Sequence, residues 1–332
     1  MSWRQRLEIA IILWLNRFFP RPAVTMHTEE AAGKPRAELE QEEFARGRDR
    51  LALLGKWTFF EHKVVLDLAC GQGIKTTSYA ASDPEVGLVV GIDLDAKALE
   101  TAREFSRRRD VGRVTFVIAD AGALPFRDES VDIVVSENAF EHMPRPQAAL
   151  LEAARVLKDQ GILSLRFFPL YDSRFGSHLW DYLWLPWVQT WASPEAVAAA
   201  YARIVEGEAP RLLRQFAGRY DERDLKSHVA AQIEQFMTLN KLTPRGFCEA
   251  VAASGGWQIL HFRLIETPRV ERLLALLPGV DRFTVWGIEC VLRRDKQATL
   301  SAMALSRWRW RQGLRKMHAH FVGRASRGTL AL

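Results

Sequence analysis

Cysteine is scarce in this chain. Three residues in 332, Cys70, Cys248 and Cys290, lie far apart. They show no metal-ligand spacing and cannot all pair, which excludes a zinc ribbon and a disulfide scaffold and fits a reducing, cytoplasmic setting. Long apolar runs are missing too. The longest, Leu7 to Leu15, contains Glu8 and falls well short of the roughly 20 residues that a membrane-spanning helix needs. Arg4 and Arg6 precede it as in a signal peptide, but Asn16-Arg17-Phe18-Phe19-Pro20 offers no small-residue cleavage site. The segment reads as a retained N-terminal helix. Neither an internal repeat nor a recognisable RNA-binding module is visible. Acidic residues are absent from Lys296 onward.

That last absence changes the meaning of the net charge. The chain carries +6, yet eight Lys or Arg fall between Lys296 and Leu332, so the rest sums to −2. The body is slightly acidic and nucleic acid is not its expected partner. With 48% hydrophobic and 26% charged residues, it can bury one large core.

Apolar β-branched runs alternate with helical stretches from residue 64 onward. The strands are Val64–Leu68, Leu88–Asp93, Val114–Asp120, Val131–Val135 and Gly161–Phe167, with helices fitting at 74–82, 95–109 and 145–158. Strand runs this apolar, with helices between them, mean a parallel sheet covered on both faces. After Pro169 the alternation stops and an aromatic-rich stretch follows, read as an inserted helical lid. Thr243-Pro244 opens another helix, with Thr as N-cap and Pro at N1. Trp257–Ile265 and Phe283–Leu292 read as the last two strands. The predicted organisation is an apolar segment and linker over 1–37, one domain over 38–295 with the lid at about 170–242, and a basic tail over 296–332.

Three acids mark the carboxyl ends of the first three strands: Asp67, Asp93 and Asp120. In an open α/β sheet that edge binds ligands. The first strand runs into Asp67-Leu68-Ala69-Cys70-Gly71-Gln72-Gly73, where glycine permits a tight turn and close approach of a ligand. The following helix, starting near Ile74, points its N-terminus at a ligand carboxylate. Asp93 follows Gly73 by twenty residues, the offset of a carboxylate that grips ribose hydroxyls.

These segments resemble the class I methyltransferases, and in particular their type 11 group, over about residues 60–170. The matching stretches are Val64–Gly73, Val90–Asp95, Asp120–Phe126 and Val131–His142, the last including Glu141-His142 and followed by Met143. The family pattern is Asp-Leu-Gly-Cys-Gly-x-Gly, with Ala69 here in place of one glycine. The resemblance implies a Rossmann-like sheet of order 3-2-1-4-5-7-6 with an antiparallel last strand, and S-adenosyl-L-methionine as cofactor. Asp67, Gly71 and Gly73 would hold its methionine end, Asp93 the ribose, and Asp120 with Ala121 the adenine, with Ala69, Leu94 and Ser136 also among the cofactor-binding residues. A methyl group would pass to a small-molecule, glycan or lipid-linked acceptor, at oxygen. A nicotinamide dinucleotide is the rival cofactor, but its fingerprint wants Gly or Ala where Thr76 stands. A catalytically inactive binding protein is the other alternative; the intact Asp67–Gly73 loop and Asp93 argue against it.

Methyl transfer to a hydroxyl needs alignment and a base. His142, beyond the fourth strand, titrates nearest neutrality and is the first candidate, or packs beneath the cofactor. Tyr171 and His178 are further candidate catalytic residues in the insertion, alongside Asp172, Asp181 and Tyr182. Trp180, Trp184, Trp187 and Trp191 recur at helical spacing, though Pro186 kinks the run. They read as lid packing or as an apolar wall for a lipid-linked acceptor. Phe168–Tyr171, Phe175–Tyr182, Leu185–Trp187 and Thr238–Pro244 resemble a subgroup of methyltransferases found in envelope-glycan and lipid biosynthesis.

Both termini offer a membrane contact. In the tail, Trp310, Leu314, Met317 and Phe321 share one stripe and Arg307, Arg311 and Arg315 another, the pattern of a helix on an anionic surface at the inner membrane face. A disordered arm is the alternative, and RNA stacking on the Trp-Arg-Trp-Arg run a third reading. Ile9, Ile12, Leu13 and Phe19 form a second insertable face.

Overall fold

The computed structural model describes residues 1–19, 35–82, 85–215, 222–266 and 280–298. The stripes predicted in the basic tail, Trp310 to Phe321 and Arg307 to Arg315, lie outside them.

Period-two alternation decides how the sheet is covered. The strands are β1 (Val64–Leu68), β2 (Leu88–Asp93), β3 (Val114–Ile118), β4 (Val131–Glu137), β5 (Leu157–Phe167), β6 (Trp257–Glu266) and β7 (Val285–Arg294). They form a seven-stranded sheet in the order β3-β2-β1-β4-β5-β7-β6. The first five pair in parallel, and β7 runs antiparallel to both β5 and β6. This is the order and the single reversed strand that the family resemblance implied. Leu66, Leu68, Val90, Ile92 and Val134 point to one face. Val65, Val89, Ile133 and Val135 point to the other. Successive side chains of a strand leave on opposite sides, so each strand feeds two cores.

The first face packs on α5 (Pro146–Val156) and α9 (Pro244–Ser254) through residues such as Leu150, Ala153, Phe247 and Val251. The second packs on α2 (Arg36–Leu54) and α3 (Ile74–Ser82) through Leu51, Leu54 and Tyr79, while α4 (Ala96–Arg108) covers β2 and β3. Thr243 caps α9 as predicted, its hydroxyl accepting from Gly246 N at 3.0 Å, with Pro244 in the first turn. Several strand ends differ from the sequence expectation, among them β4, which runs on to Glu137, and β7, which spans Val285–Arg294 because Phe283 belongs to a short helix before it. β3 stops at Ile118, because Asp120 accepts from Gly122 N at 2.7 Å and turns the chain. β5 starts at Leu157, which pairs with Val131 across a register shift.

The insertion carries α6 (Val188–Trp191), α7 (Pro194–Gln215) and α8 (Glu222–Thr238). The expected tryptophan stripe is corrected: Trp180 and Trp187 lie in turns, Trp184 lies in irregular backbone between them, and the three share no helix. Gly176 allows this path, since a Cβ there would meet Tyr171 O at 2.1 Å. Trp187 itself adopts φ 56° at the mouth of α6.

The N-terminal segment forms α1 (Trp3–Leu15), capped by Ser2 and packed against α7. Ile9 and Ile12 are fully buried in a second core with Leu183, Val188, Tyr201 and Phe236. Glu8 lies at the N-terminus of α7, where Ser193 N and Oγ donate to its carboxylate at 3.1 and 2.5 Å, a favourable end of the helix dipole. Asn16 accepts from Trp184 N and donates to Tyr182 O. The expectation that Ile9, Ile12, Leu13 and Phe19 insert into a membrane is therefore corrected, because that face is already covered by the insertion. Ile12→Ala should destabilise the protein by about 2–5 kcal/mol, the cost of emptying a closed site. Ile11→Ala, at a position 38% exposed, should cost far less, and urea unfolding of both variants checks the orientation.

Candidate functional site

The strand order reverses direction between β1 and β4, and ligands of open α/β sheets bind at that point, outside the carboxyl ends of the strands. A cavity of about 670 Å³ lies there, bordered by Asp67 and the Ala69–Lys75 turn on one side and by Glu137 and Asn138 on the other. That volume is within the usual range for a small-molecule site, roughly 300–1,000 Å³.

The turn is built by backbone that few residues adopt. Ala69, Gly71 and Gly73 have φ of 54°, 53° and 64°. The two glycines answer different needs. A Cβ at Gly73 would meet Phe116 Cε1 at 2.5 Å and Ala102 Cβ at 2.6 Å, so this residue lets the turn close on β3 and α4. A Cβ at Gly71 would meet nothing within 4 Å; its bare face is open to the cavity. Gly71 N donates to Asp93 Oδ2 at 2.8 Å, and Asp95 N to Oδ1 at 2.9 Å. Asp93 thus ties the turn to β2.

Behind the turn sits a buried charge network. Thr76 Oγ1 donates to Asp67 Oδ2 at 2.6 Å. Burial pushes the Asp67 carboxyl up to about 7, against the pull of Thr76 and Lys75. Burial alone would lower the Lys75 ammonium, but Glu137 and Glu43, at 3.3 and 2.9 Å, hold it above its ordinary value. Arg50, from α2, reaches Glu289 on β7 at 2.7 Å, Ser164 on β5 at 2.5 Å and Glu137 on β4 at 3.4 Å. The cavity wall holds five acids and five bases, a balance suited to a zwitterion and poorly suited to a pyrophosphate. Asn138 Oδ1 is buried at this wall with no hydrogen-bond partner among the described residues, and buried acceptors normally have one.

Residues 66–165 match the model of a methyltransferase domain, type 11. This part of the chain is a class I methyltransferase domain. A 27-O-demethylrifamycin SV methyltransferase of Amycolatopsis mediterranei is 36% identical over 113 residues, covering 34% of this chain and 41% of that protein. An uncharacterized methyltransferase, YcgJ, of Bacillus subtilis is 34% identical over 138 residues, covering 40% and 53%. The chain therefore spans about half, or less, of the length of these relatives. Among solved structures, a putative S-adenosylmethionine-dependent methyltransferase from Listeria monocytogenes is 17% identical, covers 76% of this chain and 98% of its own, and superposes with a TM-score of 0.45.

S-adenosylmethionine is the cofactor of this methyltransferase domain, and the cavity fits it. The open Gly71, the unpartnered Asn138 Oδ1 and the balanced charges suit a ligand with an ammonium, a carboxylate and a sulfonium.

The predicted cofactor residues divide by position. Asp67, Ala69, Gly71 and Gly73 border the cavity. Leu94 is 65% exposed beside Asp93. Asp120 is held by Gly122 N and by Arg145 Nη2 at 2.5 Å, with Ala121 packed at the edge of the first core. Ser136 is fully buried, and its hydroxyl donates to Leu68 O at 3.2 Å, tying β4 to β1.

The three candidate catalytic residues lie outside the cavity wall. His142 and His178 meet edge to face at 4.9 Å. The Tyr171 hydroxyl donates to Gln189 O at 3.3 Å, and its ring stacks on Phe236. From the histidines an aromatic row runs through Trp180 and Trp286 to Phe168, which Arg166 of the cavity wall covers at 5.1 Å. His142 Nδ1, Trp180 Nε1 and Trp286 Nε1 are buried without partners among the described residues.

Sequence reasoning missed Arg50, Lys75 and Glu289. Glu289 had a signal, a lone acid inside an otherwise apolar strand. Glu43, Arg46 and Arg50 also carried one, as charges spaced to line a single helix face. Gly73→Ala should destabilise the domain by about 1–3 kcal/mol through left-handed strain and overlap. Gly71→Ala should cost less, since only its φ is strained, and denaturant midpoints of the two variants test this difference.

Proposed function

We propose that this chain transfers the methyl group of S-adenosylmethionine to a hydroxyl oxygen of a small-molecule, glycan or lipid-linked acceptor. The observation that carries the reading is the cavity at the β1/β4 switch point, with an open glycine on one wall and an unpartnered amide oxygen on the other. When bound there, the cofactor supplies an electrophilic methyl on sulfur. The protein supplies alignment: Asp67 and Asn138 take the ammonium end, Asp93 the ribose hydroxyls, and Asp120 with Ala121 the adenine.

The aromatic row starting at Phe168 supports an oxygen-rich acceptor. Aromatic faces stack on sugar or ring carbons. The Amycolatopsis relative, named for an O-demethyl substrate, also favours oxygen. As the new carbon–oxygen bond forms and the carbon–sulfur bond breaks, the hydroxyl proton must leave. Burial lowers His142 to about 4, so its ring is neutral at physiological pH, the state a base needs, and taking that proton requires Nε2 to release Gln235.

Calorimetry should show binding of S-adenosylhomocysteine and little binding of NADH. Asp93→Ala should weaken the former by at least tenfold, since charge-assisted hydrogen bonds are worth roughly 1.5–3 kcal/mol and each 1.4 kcal/mol is about tenfold. NADH binding in place of S-adenosylhomocysteine would sink the assignment. For the base, His142→Ala should lower turnover by about 10² or more while cofactor affinity stays nearly constant. Turnover close to that of the wild type would move the role to Tyr171 or His178.

A further inference from the structure

α1 has two apolar faces, and the second core covers one of them. On the other, Trp3, Leu7, Ile11 and Trp14 are spaced by four, four and three residues and fall within an arc of about 80° at 3.6 residues per turn. Phe18, in the turn that follows, meets Trp14 edge to face at 5.0 Å. These five side chains are 78, 52, 38, 59 and 65% exposed. Single exposed apolar residues are ordinary, but a continuous apolar stripe on a fixed helix marks a contact surface.

The charges around the stripe say what it meets. Arg4 flanks one side and Arg6 the other, and Arg17 stands in the turn beside Phe18; all three are exposed. Glu8, the only acid between Met1 and Phe19, is buried beneath α1, bound by Ser193 and paired with Arg4 at 3.0 Å, so the surplus positive charge beside the stripe is that of Arg6 and Arg17. Two copies of this chain joined through the stripe would bring these arginines together. An anionic lipid surface satisfies both parts, taking tryptophan and phenylalanine at headgroup level and arginine at the phosphates.

We propose that the outward face of α1 seats this protein on anionic membrane. The helix is docked on the body by Glu8, Asn16, Ile9 and Ile12, so it lies in the plane of the surface and does not cross it. No described helix is long and apolar enough to cross a membrane. This inference stands apart from the methyl-transfer reading and uses none of the cavity residues.

The test is cosedimentation of the full chain with vesicles of phosphatidylcholine alone or mixed with phosphatidylglycerol. Three proteins are compared: the wild type, a Trp3→Ala/Trp14→Ala/Phe18→Ala variant and an Arg6→Gln/Arg17→Gln variant. Circular dichroism and S-adenosylhomocysteine calorimetry confirm that each is folded, and they report the cofactor site independently. The wild type should pellet with the mixed vesicles, and the aromatic variant should partition roughly tenfold less or weaker still. The arginine variant should lose the salt-sensitive part of binding, which screening weakens. Wild-type binding kept by the aromatic variant overturns the proposal and assigns the contact to the tail. Absence of wild-type binding overturns it too. A wild-type dimer that the aromatic substitutions dissociate, without vesicle binding, makes the stripe an interface between copies.

Discussion

Arg50 is a guanidinium held inside the protein, its side chain 3% exposed. A charge so placed persists only if it is met on several sides, because an uncompensated buried ion costs several kcal/mol. Here the partners come from three strands: Glu137 on β4, Ser164 on β5 and Glu289 on β7. The consequence is mechanical. α2 cannot leave the carboxyl edge of the sheet without exposing two buried carboxylates, so it stays over the cavity and closes one wall. Lys75 extends the pattern to the glycine turn by pairing with Glu43 on α2 and Glu137 on β4. Most charges at the cavity wall are therefore already paired, and Asn138 Oδ1 is left without a partner among the described residues. Asp67, neutral in part near pH 7, sits at the same wall.

The sheet was legible in the sequence because parallel strands buried on both faces read as continuous apolar runs, and five such runs separated by helices leave few topologies. The glycine turn was legible for a related reason. Ala69, Gly71 and Gly73 hold left-handed backbone, and a short Gly-x-Gly between a strand and a helix is one of the few local signals for it. Even so, the spacing alone did not separate Gly73, which is needed for packing on Phe116, from Gly71, which faces open space. That distinction depends on what lies across the turn, and β3 is more than forty residues away in the chain.

What remained hidden was long-range. Arg50 and Glu289 pair across 239 residues, and no local pattern announces such a partner. α1 was misread because both of its faces are apolar. Periodicity identifies a stripe and cannot say which of two stripes is covered. The covered one was decided by α7, which supplied Ser193 for Glu8 and a surface for Ile9 and Ile12. The tryptophan spacing failed in the opposite sense. Steps of three and four suggested a helix, but the backbone between Tyr171 and Trp187 follows turns, and the rings fill space from separate directions. Aromatic spacing in a stretch interrupted by proline and glycine is weak evidence for a helix.

The second core also connects two parts of the molecule that no sequence pattern links. At one end α1 offers its apolar face outward. At the other, Gln235 of α8 lies 3.3 Å from His142 Nε2, and Asn240, just beyond α8, donates through Nδ2 to Phe140 O and Met143 O at 2.7 and 3.0 Å. The loop that carries His142 is thus held by the same body that packs on α1. Protein interiors are close-packed and resist gradual deformation, so a surface that fixes α1 also fixes the orientation of this loop and of the aromatic row next to it. An acceptor anchored in that surface would meet the row from a constant direction. Alignment is the main contribution a protein makes to a displacement at carbon, and the second core is where this chain would set it.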